Sequence, residues 1–160
     1  MNITMLKVRP CSRQDFAEVV GLMRQLWPDK HLRIPRLRTV FARALASASQ
    51  RYLCATYEDR IVGFGSLTRK NTLWPEGHLG YVDELVVDSE HRGQGVGTRL
   101  LQQLADVARR MGCCRIELDS AFYRKESHRF YERHAFKSRA FVYSKPLASR
   151  RTVRIHRGEK

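Results

Sequence analysis

At 160 residues and 42% apolar, the chain is one domain's worth of sequence, long enough to bury a core without staples. No apolar run approaches the ~20 residues of a bilayer span, and the N-terminus lacks the basic segment, apolar run and cleavage site of a signal peptide. A cytoplasmic protein is therefore expected, and its formal charge of +14 favours anionic partners.

The arginines cluster at Arg33, Arg36, Arg38 and Arg43, at Arg109 and Arg110, and in a tail at 150, 151, 154 and 157. The cysteines, Cys11, Cys54, Cys113 and Cys114, have no metal-ligand spacing. They are read as reduced, mostly buried thiols, and no metal is expected. A catalytic thiol would need a histidine held against it, which no element supplies.

Residues 6–9 form a first edge strand closed by Pro10. Ser12 caps a helix, with Asp15 in the capping-box position, and Pro28 stops it. Its stripe of Phe16, Val19, Val20, Met23, Leu26 and Trp27 reads as core. A polar connector, 29–33, leads to a second helix with Pro35 near its start and apolar positions at Ile34, Leu37, Phe41, Ala44, Leu45 and Ala48.

Residues 51–57 and 61–67 read as strands joined by a hairpin-length loop. The longer connection 71–77 carries Trp74, which either lines a pocket or packs locally.

Residues 81–87 are an apolar strand, followed by a polar turn, the glycine cluster Arg92-Gly93-Gln94-Gly95-Val96-Gly97, and a helix. Val96, Leu100, Leu104, Val107, Ala108 and Met111 lie on one helical face, and Gly112 ends it. Such a turn offers backbone N–H groups at the positive end of a helix dipole, a cradle for phosphate. Thr98 follows Gly97 without the lysine of a Walker loop. A Rossmann loop would follow the first strand of its unit, whereas this one lies past mid-chain, although Glu117 and Asp119 fall about where the acidic residue of such a unit would lie. A tight turn with glycines for steric reasons alone is the bland alternative.

A short strand follows at 115–119, parallel to the central one because a helix connects them. Then come a helix at 125–133 and a last strand at 136–145, which Pro146 closes. Residues 148–160 are basic, poor in large apolar side chains, and expected to be a mobile tail beyond a domain spanning 5–147.

Leu85-Val86-Val87 with the Arg92 to Gly97 turn resembles the acyl-CoA motif of the GNAT superfamily of N-acetyltransferases. Phe130-Tyr131-Glu132-Arg133-His134-Ala135-Phe136 resembles its C-terminal signature. The resemblance implies an α/β (α+β) fold, with a mixed sheet of about six to seven strands, about four flanking helices and central strands that splay apart. It also implies acetyl-CoA as cosubstrate and transfer by direct attack in a ternary complex.

On that reading, backbone groups from Arg92, Gly93, Gln94, Gly95, Val96, Gly97 and Thr98 hold the diphosphate, with Arg92 adding charge. Leu85 and Val87 pair with the pantetheine arm, and a free N–H at about Val86 polarises the thioester. Tyr131 stands where the family carries its acid for the departing thiolate; a core aromatic with a satisfied hydroxyl is the alternative.

Many members place a glutamate base where this chain has Tyr81. The nearest carboxylates are Asp83 and Glu84, on opposite faces by strand alternation, with Glu84 preferred and Glu117 a further candidate through water. Ala135 replaces a usual glycine, which implies a slightly different turn. Arg124 and Ser127 replace the commoner asparagine and alanine.

The helix–loop–helix at 12–48 borders the family's acceptor pocket, which brings His31, Arg33 or Arg36 near substrate. The run from Ser127 to the end of the last strand also resembles aminoalkylphosphonate N-acetyltransferases. A small, anionic primary amine suits so basic a chain, and polycationic aminoglycosides suit it only if the pocket is locally acidic. Alternatives are a protein or peptide amine as acceptor, or a non-catalytic acyl-CoA-binding module whose tail touches nucleic acid or a partner. Nucleic acid is disfavoured, because no aromatic residues are interleaved with the arginines. A homodimer is compatible with the sequence.

Overall fold

A computed structural model describes residues 5–74 and 76–147; the basic tail at 148–160 lies outside them. The chain runs β1 (Lys7–Pro10), a 3-10 turn (Arg13–Asp15), α1 (Phe16–Leu26), α2 (Ile34–Leu45), β2 (Gln50–Tyr57), β3 (Arg60–Thr72) and β4 (Gly77–Val87). A second 3-10 turn (Ser89–His91), α3 (Val96–Arg110), β5 (Cys113–Leu118) and α4 (Lys125–Arg133) follow.

The strands form one mixed sheet in the order β1-β2-β3-β4-β5, antiparallel except for the parallel β4–β5 pair. Helix α3 covers one face, where Leu100, Leu104 and Ala108 pack on Leu53, Ala55, Leu67 and Val82. The close approach requires glycine below it, since a Cβ at Gly63 would come within 2.8 Å of Leu100 Cδ1 and one at Gly65 within 2.9 Å of Leu104 Cδ1. Helices α1 and α2 cover the other face, where Phe16, Val20, Met23 and Phe41 meet Cys54, Phe64 and Val86.

The mixed α/β architecture is the one expected, with three differences in detail. First, the sheet has five strands among the described residues, because 136–147 form no ladder. Phe141, Val142, Tyr143 and Leu147 are exposed, so the apolar run that reads as a final strand is not buried here. Second, β3 and β4 are longer than expected and pair out to Thr72↔Gly77. The Arg115 and Arg139 guanidinium groups stand over the ring of Trp74 at their tip, 4.6 and 4.9 Å from its centroid.

Third, Cys11 and Cys54 form a disulfide, with Cα atoms 5.6 Å apart, and so are not the reduced thiols expected. The β1–β2 register, Arg9↔Cys54, delivers Cys11 just past the strand end, where its N–H donates to Tyr52 O at 2.8 Å. Beside them, Asp15 is buried and takes both Arg9 nitrogens at 2.7 and 2.8 Å and the Ser12 N–H at 2.6 Å. Arg9 first, then Ser12, hold its pKa down at about 2.

Candidate active site

Three local features of β4 build the site. The parallel ladder with β5 runs from His78↔Cys113 to Val82↔Leu118 and stops there, while β4 continues to Val87. Past Val82 the two strands part. A β-bulge sits at the same level: Gly65↔Leu85 and Leu67↔Val82 leave Ser66 alone opposite both Asp83 and Glu84.

The bulge breaks the two-residue alternation. Val82 packs under α3, yet Glu84 lies with Val86 toward α1 and α2. The expectation that Asp83 and Glu84 would face opposite ways is corrected accordingly: both line the cleft where β4 and β5 part.

The third feature is the direction of the backbone. The Asp88 N–H donates to Val62 O at 2.9 Å, and the Glu84 N–H to Ser66 Oγ at 3.0 Å, so the even-numbered residues turn their backbone toward β3. Val86, paired with Phe64, does the same, which corrects the free N–H placed at about Val86. Leu85 and Val87 turn theirs toward the gap left by β5 instead.

The cleft holds about 170 Å³ and is walled by β4 at Val82 to Leu85, by Leu118 at the end of β5 and Asp119 just past it, by Arg124 and Tyr131, and by Leu26 at the end of α1 with Trp27 capping it. Glu84 and Tyr131, proposed from sequence as base and acid, share it. The Ser66 O–H donates to the Glu84 carboxylate. Burial raises the Glu84 pKa; the Ser66 bond opposes this, Asp83 adds to it, and the Lys30 charge opposes it. Burial likewise raises the Tyr131 pKa, against Arg124 and with Asp119.

Asp83 accepts from Thr68 Oγ1 at 2.6 Å, and Asp119 accepts the Tyr81 O–H. Tyr81 is thus a donor to a cleft carboxylate. Glu117 lies elsewhere, 3.8 and 3.9 Å from the nitrogens of Arg115 and Arg139.

A second, apolar pocket of about 60 Å³ opens between α1 and α2, lined by Phe16, Met23, Trp27, Phe41, Tyr52 and Glu84 among others. The α1 stripe is therefore core along most of its width and pocket wall along one edge. Tyr52 here is pushed up to about 12, by burial first and then by Glu84 and Asp83. His31, Arg33 and Arg36 line neither space, and neither does Trp74.

The glycine turn leads into α3 directly. Gly93 and Gly95 have φ of +70° and +86°, and no atom lies within 4 Å of a Cβ built on either. A diphosphate has room there at a helix N-terminus, so the turn fits acetyl-CoA on its own geometry. Arg92 is exposed, with Nε donating to Val87 O at 3.2 Å, and Gln94 Nε2 donates to Glu90 O at 2.9 Å. Val96 is buried under the sheet and has only its backbone to offer. Gly97 abuts the Phe130 ring, 3.4 Å from a built Cβ.

Thr98 links the turn to α4. His134 Nδ1 donates to Phe130 O at 2.8 Å, which leaves Nε2 to accept the Thr98 hydroxyl at 3.1 Å. The helix ends in a Schellman turn, with the Phe136 N–H on Tyr131 O at 3.1 Å and the Ala135 N–H on Glu132 O at 3.0 Å. Ala135 has φ +64°, so the usual left-handed turn is kept despite the missing glycine, contrary to the different turn expected.

Sequence reasoning gave no site role to Ser66, Trp27 or Lys30. A lone hydroxyl inside the apolar run 61–67 was the available signal for Ser66.

The acetyltransferase (GNAT) family model matches residues 16–136. The chain is 30% identical over 141 residues to the aminoalkylphosphonate N-acetyltransferase of Salmonella typhimurium, covering 88% of this chain and 91% of that protein. It is 28% identical to the glucosamine 6-phosphate N-acetyltransferase of Trypanosoma brucei brucei, over 82% and 95% of the two chains. Among solved structures, an aminoglycoside acetyltransferase from a soil metagenome, in complex with sisomicin, superposes with a TM-score of 0.81 at 17% identity, over 92% of this chain and 100% of that one. That likeness speaks to the fold alone.

Proposed function

Because the chain belongs to the GNAT family and is an N-acetyltransferase, we propose that it moves the acetyl group of acetyl-CoA to a primary amine of a small molecule. The observation that carries this reading is the meeting of Glu84 and Tyr131 in one cleft, opened by the parting of β4 and β5.

Bound acetyl-CoA supplies a thioester already activated for attack. The protein's work is then position, polarisation and proton management. Amides of Gly93 to Thr98 grip the diphosphate, and Leu85 and Val87 extend the β-ladder to the pantetheine arm, one of their N–H groups facing the reacting carbonyl. Glu84, its carboxylate made more basic by burial, takes the amine proton. Tyr131, kept protonated by its burial, donates to the departing sulfur.

The modest size of both spaces favours a small acceptor over a peptide. Thiol release measured with acetyl-CoA across a library of amines and lysine peptides tests the proposal. Amine-dependent release is the expected result. Binding of acetyl-CoA with no release for any amine would leave a non-catalytic module instead.

A further inference from the structure

Glu84 belongs to two spaces at once. It lines the cleft together with Tyr131, and it also lines the apolar pocket between α1 and α2; Trp27 is the other residue common to both. The rest of that pocket is apolar or aromatic, and among the described residues it has no cation and no second carboxylate. Phe16, Phe41, Tyr52 and Phe64 line it in an unbroken series of ring contacts, with centroids 5.5, 5.4 and 5.3 Å apart. Val40, exposed on α2, gives the pocket a border with solvent.

On the reaction proposed above, the coenzyme arm lies along Leu85 and Val87, on the gap side of β4, and the acceptor nitrogen meets Glu84. Whatever that nitrogen carries is then delivered to the second space that Glu84 lines. Its size limits the group. At about 60 Å³ it is less than half of the ~150 Å³ cavity that takes up benzene, so roughly two to four carbons fit and an aromatic ring does not.

Resting on that reading, we propose that the acceptor is an aliphatic primary amine with a short uncharged tail, its nitrogen at Glu84 and its tail seated between α1 and α2. In the transfer, the neutral nitrogen bonds to the acetyl carbon and gives a proton to Glu84, while the C–S bond breaks and the sulfur takes the proton of Tyr131. A charged tail would lie among rings with its one counter-charge, Glu84, already facing the amine, at a high desolvation cost. A polar pocket would not discriminate in this way.

The test measures thiol release by the purified full chain with acetyl-CoA across methylamine, ethylamine, propylamine, isobutylamine and phenethylamine. Propylamine is also compared with β-alanine, 2-aminoethylphosphonate and 1,3-diaminopropane. From methylamine to isobutylamine kcat/KM should rise about four-fold with each added carbon, mainly through KM, and phenethylamine should fall below isobutylamine. The three amines that end in a charge should lie about ten-fold or more below propylamine.

Val40→Trp fills the pocket from its exposed side and should lower the isobutylamine-to-methylamine ratio about ten-fold. Met23→Ala enlarges it and should raise phenethylamine relative to isobutylamine; thermal melts check that both variants are folded. A flat series from methylamine to isobutylamine, or a charged amine that outruns propylamine, overturns the aliphatic acceptor and leaves acetyl transfer standing. Ratios unchanged in both folded variants remove the pocket from acceptor binding. Butyryl-CoA used better than acetyl-CoA, with methylamine as acceptor, would give the pocket to the donor's acyl chain and likewise overturn the assignment. Absence of thiol release with every amine overturns the transfer reading itself.

Discussion

Ser66 and Glu84 are bonded to one another twice across the β-bulge. The Glu84 amide donates to Ser66 Oγ at 3.0 Å, and the Ser66 hydroxyl donates to the Glu84 carboxylate. One small side chain thus fixes both the backbone and the carboxylate of the residue opposite it.

If Glu84 is the base, it must be ionised to act. Burial raises its pKa, and Ser66 and Lys30 oppose this while Asp83 adds to it. The acid limb of kcat/KM should lie above the ordinary carboxylate range. Ser66→Ala removes a bond that favours the charged form, so the limb should move to still higher pH. Glu84→Gln should lower turnover about 10²-fold or more. A pH–rate series by thiol release checks all three, and full turnover by the glutamine variant would remove Glu84 from the mechanism.

Tyr131→Phe should cost about 10²-fold in turnover while leaving coenzyme A affinity within a few-fold. Titration calorimetry alongside steady-state kinetics separates the two. Collapse of affinity with turnover unchanged at saturation would make the phenol a binding group.

Gly95→Glu puts charge at the turn where φ is +86°. The KM for acetyl-CoA should rise at least about ten-fold, because the carboxylate repels phosphate and the left-handed conformation costs about 1 kcal/mol. Gly95→Ala, which bears only the second cost, should do less. Tight coenzyme binding by the glutamate variant would sink the cradle.

Ala135→Gly should stabilise the protein by about 0.5–1 kcal/mol, since φ is +64° there and glycine occupies that region without penalty. The readout is the denaturation midpoint, with activity little changed. A lower midpoint would show the alanine methyl to be worth more than the strain.

Asp15 should make folding stability depend on acid pH. Its pKa is lowered from 3.8 to about 2, so the stabilisation is complete above the unfolded value and disappears as pH falls from 3.8 toward 2. The amount is about 2 kcal/mol, and the side chain is only 8% exposed, so solvent screens it little. Asp15→Asn should lose a similar amount at pH 7 and flatten the acid decline. Equal acid slopes in the two proteins, followed by urea unfolding, would contradict the assignment.

Much of this fold could be read from periodicity and punctuation. Helix α3 ends one residue short of expectation because it has a clear apolar face and a terminating glycine, Gly112, with positive φ; α4, with only Phe130 and Tyr131 apolar, falls on its expected bounds and is ended by Ala135, also at positive φ. The parting of the strands and the slot it opens follow from family resemblance.

What escaped reading depends on pairing between distant segments. A bulge is an offset between two strands, and no letter in Tyr81 to Val87 announces it. Electrostatics are equally non-local: Lys30 and Arg124 lie far apart in sequence, yet the first acts on Glu84 and the second on Tyr131, two residues that share one cleft. The polar residues Arg69 to Thr72 hid the outer half of the β3–β4 hairpin, since exposed strand ends have no apolar alternation to display.

Cys11 and Cys54 lie 43 positions apart, and the segment their cystine closes contains both α1 and α2, which form one wall of the apolar pocket. Tying its ends restricts the unfolded chain by about 4 kcal/mol on a loop-entropy account. Preparations made with and without reductant will therefore differ in how readily that wall comes apart, and handling history becomes a variable to control before any two samples are compared.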